Sequence, residues 1–247
     1  MFSLTHLDSL PADVQKKYAP YLENLFKVYG DQILCVCLYG SAAGKDYLPG
    51  ISDINSVIVL REHHFAFMQK SLKIIRDGLS KKITAPLFIT RHFLESSLDV
   101  FPIEFLEIKE HHACLFGEDL FVRLAIPSEN LRALCKQQLK GKILRIQQSY
   151  LENGLDKKRV RAILTGSLNS LVPVFKNILR LRGKPIIHEK EKMITMLCQE
   201  YALGNIIFLS ILKDKTREKI LSHQEVDLLL QQFLLELETL SSRIDQP

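Results

Sequence analysis

The sequence predicts an α+β architecture: a mixed sheet with flanking helices over residues 1–126, then an all-helical bundle over residues 127–247. Three observations carry this expectation. The first half alternates short apolar runs of strand length with stretches of helical spacing, while the second half keeps helical spacing throughout. The charge also changes sign between the halves. Residues 1–126 hold 13 Lys/Arg against 15 Asp/Glu, and residues 127–247 hold 20 against 13. Such asymmetry accompanies a division into two domains. At 247 residues, 47% hydrophobic and 25% charged, the chain can bury two cores and is neither disordered nor of low complexity.

Residues 12–29 place Val14, Tyr18, Tyr21, Leu22, Leu25 and Phe26 at helical spacing before Gly30. Pro20 lies inside that pattern and predicts a kink or a split into two helices. Ile33–Gly40 is an apolar run of buried-strand length, and Asp53–Leu60 alternates before becoming fully apolar. Helical spacing returns over 65–79, and strands are expected at Pro86–Thr90, Ile103–Ile108 and Ala113–Phe116. Pro127 punctuates the boundary, and Ser128 suits a helix N-cap for 131–151. Asp156 caps a helix to about Arg182, which Gly183 and Pro185 end. Two more helical stretches cover 189–213, broken near Gly204, and 222–243. Leucines crowd the last of these and are expected to face the bundle, with a homodimer as the alternative use of that face.

No apolar run approaches the roughly 20 residues of a membrane span. The N-terminus lacks the basic-then-apolar pattern of a secretion signal, so no membrane and a cytoplasmic location are expected. Five cysteines without a C-x-x-C pair read as reduced, buried thiols, Cys35 and Cys37 beside the sheet core. The His63-His64 and His111-His112 doublets read as exposed loop residues, because adjacent side chains diverge and make poor ligand pairs.

The chemistry-bearing pattern is Leu38-Tyr39-Gly40-Ser41, followed twelve residues after Ser41 by Asp53-Ile54-Asn55. An apolar strand ending in Gly-Ser lets a phosphate approach the backbone, and a helix starting there would offer amide N–H groups to an anion. Asp53 and Asn55 are two residues apart on the next strand and share a face. Oxygen ligands at that spacing can hold a divalent cation against nucleotide phosphates.

This pattern resembles the DNA polymerase β-like nucleotidyltransferases, whose signature is Gly-Ser, a gap, then Asp-x-Asp or Asp-x-Glu. In layout the chain is similar to the small bacterial proteins related to kanamycin nucleotidyltransferase. The resemblance implies a nucleotidyltransferase domain at 1–126 and a helical bundle at 127–247. It implies transfer of a nucleoside monophosphate from an NTP, ATP first, to a hydroxyl acceptor with Mg²⁺ or Mn²⁺. Gly40 and Ser41 would bind phosphates, and Asp53 would hold the cation with Asn55 as a neutral ligand. The third carboxylate of the family comes from a later strand, and Glu104 in the expected strand 103–108 fills that place as metal ligand or general base. Gly117-Glu118-Asp119 also matches a stretch found after that strand in bacterial relatives. Asn55 departs from the pattern and removes one negative charge from the cation site, with Asp46 as a compensating acid in the loop. A catalytically impaired nucleotide-binding regulator acting on a partner protein is therefore the alternative reading.

The helical half carries basic strips: Lys136, Lys140, Lys142 and Arg145; Lys157, Lys158, Arg159 and Arg161; and Lys176, Arg180, Arg182 and Lys184. Lys140, with its neighbours, is the chosen phosphate partner, and Arg91 and His92 are further candidates. Nucleic acid is the less favoured partner, because no interleaved aromatics accompany these strips and the chain has no Trp.

Overall fold

Strand formation in the first half follows the apolar runs. β1 (Ile33–Tyr39) and β2 (Asn55–Leu60) are almost wholly buried, as their continuous Val, Ile, Leu and Cys content requires. In the computed structural model, which describes residues 4–44, 47–187, 189–216 and 223–245, they join β3 (Leu87–Thr90) and β4 (His112–Gly117). The sheet order is β3-β2-β1-β4. β1 is antiparallel to both neighbours and β3 is parallel to β2, so the sheet is mixed.

Each face of this sheet meets a different set of helices. α1 (Ala12–Tyr29) lays Val14, Tyr18, Leu22, Leu25 and Phe26 against Val36, Leu38, Ile54, Ile58 and Leu115, and α2 (Phe65–Leu79) adds Phe67, Ile74 and Ile75. The opposite face packs Cys35, Cys37, Val57 and Val59 against Phe105, Ile108, Phe121 and Leu124. Full burial of a Leu or Phe contributes roughly 1.5–3 kcal/mol, so these two layers stabilise the unit.

Two expectations are corrected here. α1 is one continuous helix through the exposed Pro20, so the split into two helices does not occur. The expected strand at 103–108 is a helix, α4 (Pro102–Glu110), preceded by the short α3 (Arg91–Ser96) that Thr90 caps through the Phe93 amide. The alternation Ile103, Glu104, Phe105 imitates a strand. The helix is signalled instead by Pro102 at its first turn, Glu104 beside the positive end and Lys109 beside the negative end.

The chain divides into two compact units, Met1–Pro127 and Ser128–Pro247. The second is all helical: α5 (Ser128–Asn153), α6 (Lys157–Leu181), α7 (Lys190–Glu200), α8 (Asn205–Thr216) and α9 (His223–Arg243). Asp156 caps α6 by accepting from the Lys158 and Arg159 amides at 3.0 and 3.2 Å. Phe175, Phe208 and Phe233 meet edge to face and tie α6, α8 and α9 together. Of the leucines in α9, Leu229, Leu230, Leu237 and Leu240 are buried within this unit, while Leu228 and Leu235 are exposed. α6 is apolar and long enough by composition to span a membrane, yet its stripe from Val160 to Leu179 forms the core of this unit.

Candidate functional site

Gly40 leaves β1 in the left-handed region, at φ +72°, where a side chain is strained. Its role is conformational, since a Cβ there would meet Asn55 Nδ2 at an ordinary 3.8 Å. The segment Gly40–Ala43 is a single 3₁₀ turn, closed by the Gly44 amide on the Ser41 carbonyl at 3.1 Å. The Gly40 amide is committed to the His111 carbonyl at 3.0 Å. Ser41 is half-buried beside it. Tyr47, buried in the following loop, donates its hydroxyl to Asp13 Oδ2 at 2.6 Å and so fastens the loop to α1. Asp46 lies outside the described residues.

Asn55 begins β2 directly opposite Tyr39, and Tyr39 is opposite His112 on β4. The three therefore form a row across the sheet at the Gly40 edge. Asn55 Oδ1 accepts the Thr84 hydroxyl at 2.9 Å, which occupies one lone pair of the oxygen that would face a cation. Asp53 stands exposed just before β2, and the Lys82 ammonium lies 3.9 Å from its carboxylate. Lys82 is held there by backbone pairing: the Ile54 amide donates to the Lys82 carbonyl at 2.7 Å.

Sequence reasoning places Glu104 on a strand beside Asp53, and the helix removes that geometric basis. α4 runs toward the Gly40 edge and ends at His111, whose carbonyl receives Gly40. Glu104 is exposed in the first turn, about 10 Å back along the axis at 1.5 Å per residue. The strand that does flank β2 carries no acid, because residues 82–90 contain neither Asp nor Glu. Among the described residues, Asp53 and Asn55 bring one carboxylate and one amide oxygen to this edge. That donor set fits one hard cation arriving with nucleotide phosphates, as Mg²⁺ commonly does, and lacks the bridging carboxylates of a two-metal centre.

His112 corrects the reading of an exposed doublet. His111 and the pair His63-His64 are exposed, but the His112 ring is buried. Its Nε2 meets both Asp119 carboxylate oxygens at 2.9 and 3.0 Å, and its Nδ1 meets the Lys109 carbonyl at 3.2 Å. Burial works against charge on Asp119, but His112 and the Phe121 and Val122 amides together hold its carboxyl below the usual range. The Gly117-Glu118-Asp119 run is thereby explained. Gly117 sits at φ +79°, where a Cβ would fall 1.9 Å from the Leu34 carbonyl oxygen, Glu118 pairs with Arg91 at 3.2 Å, and Asp119 holds His112. Tight spacing after a strand is the signal that points to this turn.

In the helical unit many of the basic residues have acid partners or lone-pair acceptors. Lys136 pairs with Asp245, Lys157 with Asp227, Lys184 with Glu200 at 2.7 Å, and Arg182 bonds the Tyr201 hydroxyl at 3.3 Å. Lys140 is exposed on α5. Lys142 and Arg145 line a groove of about 480 Å³ between α5 and α6, with Gln138 and Ser170.

No protein-family model matches the chain, and no curated protein matches it. Among solved structures it is similar to spectinomycin adenyltransferase AAD(9) from Enterococcus faecialis, determined with ATP and spectinomycin. The likeness has a TM-score of 0.54 at 13% identity and covers 89% of this chain and 97% of that one. The two chains therefore share a fold, in this chain a mixed-sheet unit followed by a helical one.

Proposed function

We propose that the chain is a nucleotidyltransferase of residues 1–126 with a helical domain at 127–247, working in the cytoplasm on an NTP, ATP first, and a hydroxyl acceptor. The observation that carries this reading is the Gly40-Ser41 turn abutting Asn55, with Asp53 exposed at the start of β2. ATP is the nucleotide of choice because the similar structure was determined with it.

In this reading Gly40 and Ser41 receive the β- and γ-phosphates, the turn presenting a bare backbone and one hydroxyl. Asp53, now beside Lys82, would hold a Mg²⁺ ion, and Asn55 would add a neutral oxygen, its carboxamide oriented by Thr84. A bound cation supplies charge neutralisation on the phosphates. An acceptor hydroxyl then attacks the α-phosphorus and gives up its proton to solvent, a P–O bond to that acceptor forms, and pyrophosphate departs with the electron pair of the broken bond. Glu104 lies on a helix and not on a strand beside β2, and no step is assigned to it here.

Asn55, neutral where the family pattern has an acid, favours a second reading, a nucleotide-binding regulator without transfer. Pyrophosphate release from ATP, measured with a panel of aminoglycoside, protein and nucleic-acid hydroxyl acceptors, separates the two. Release that needs both Mg²⁺ and one acceptor supports transfer. Tight nucleotide binding with no release on any acceptor, and release created by Asn55→Asp, supports the regulator.

A further inference from the structure

Behind the Gly40 edge, on the face that α4 covers, β1 and β4 gather three thiols. Cys35 and Cys37 are two residues apart on β1 and share a face, and Cys114 is the direct partner of Cys37 across the β1–β4 pair. That partnership depends on a bulge. The register shifts between Val36 and Cys37, so Val36 faces Phe116 and Cys37 skips Leu115 to reach Cys114. Bulges re-aim side chains in this way. The Cys35 sulfur lies 3.5 Å from that of Cys37 and 3.9 Å from that of Cys114, and all three lie within 4.8 Å of one another. His112, two residues before Cys114 on the same strand, brings its ring within 4.8 Å of the Cys37 sulfur, with Asp119 beside it.

Spacing distinguishes this cluster from thiols that merely fill a core. A tetrahedral ion with metal–sulfur bonds of about 2.3 Å holds its sulfurs roughly 3.8 Å apart, close to the two separations present here. Cys135 and Cys198, in the helical unit, belong to no such group among the described residues.

We propose that Cys35, Cys37 and Cys114 hold a thiophilic divalent cation, zinc first, through their three thiolates. Three thiolates fill three of the four tetrahedral positions, and the fourth is left to a ligand from outside the chain. The ion ties β1 to β4 immediately behind the turn at Gly40, and it is independent of the nucleotide reading.

The test uses the whole chain, purified without chelators or a metal-affinity tag. Elemental analysis is expected to give about one zinc per chain, with removal by a strong chelator lowering the melting temperature. Replacing zinc with cobalt is expected to give the intense visible bands and near-ultraviolet charge transfer of tetrahedral thiolate cobalt. Cys37→Ser and Cys114→Ser should abolish that spectrum, whereas Cys135→Ser and Cys198→Ser should keep it. Should the first two variants fail to fold, the spectrum of the wild-type chain decides. A metal-free protein that takes up no cobalt, or a cobalt spectrum unchanged by Cys114→Ser in a folded variant, overturns the proposal.

Discussion

On its α1 side the sheet meets a continuous layer of Leu, Val, Ile, Tyr and Phe side chains. On its α4 side the same strands pass from Val57 and Val59, through the three thiols, to His112, Tyr39 and Asn55 at the Gly40 edge. The period of two in a strand makes this division sharp, since neighbouring residues belong to different environments. One face supplies stability and the other is graded from apolar to polar toward the candidate site. Changes on the two faces should therefore separate into losses of folding and losses of binding.

The largest effect is expected where the two faces share backbone. Gly117→Ala forces a Cβ to 1.9 Å from the Leu34 carbonyl oxygen, and no flexible side chain can yield. A loss of about 4 kcal/mol is expected in urea unfolding, among the large values that special backbone conformations produce. Next comes the α1 face. Leu22→Ala, at a fully buried position, should cost about 2–5 kcal/mol and leave nucleotide affinity in the folded protein unchanged. A parallel fall in affinity would break the separation of the two faces.

On the α4 side, Asn55→Asp should sharpen the contrast. The added charge is expected to raise Mg²⁺-dependent nucleotide affinity by about tenfold, or ~1.4 kcal/mol, while the urea midpoint moves little. The smallest effect concerns the loop anchor. Hydrogen bonds from Lys17 and Tyr47 lower the Asp13 pKa below its ordinary 3.8. That contribution is present above the ordinary value and is lost as pH falls through the lowered one. Acid unfolding should therefore show a component at that pH range in the natural protein that is missing in Asp13→Asn.

Much of this division can be read from the amino-acid order. The apolar runs at Ile33 and Val57, the helical spacing of α1 and α2, and the Asp156 cap all give their elements directly. The Gly-Ser and Asp-x-Asn pattern locates the edge because turn and ligand chemistry are local. α4 is missed because Ile103, Glu104 and Phe105 alternate over too few residues to separate two periods, and Glu104 is misplaced with it. The thiol cluster and the His112–Asp119 pair are illegible for a different reason. Cys37 and Cys114 are 77 residues apart and meet only through a bulge whose register no spacing rule specifies. Likewise the contact of Thr84 on Asn55 needs the crossover that brings the end of α2 back beside β2.

The central claim, a cation-dependent nucleotide site at the Gly40 edge, is tested most directly by calorimetric titration with a non-hydrolysable ATP analogue. The wild-type chain and Asp53→Ala are each titrated with and without Mg²⁺. Binding that requires Mg²⁺ in the wild type and is lost in Asp53→Ala is the expected result. Binding that ignores both Mg²⁺ and Asp53, or no binding under any condition, would contradict it.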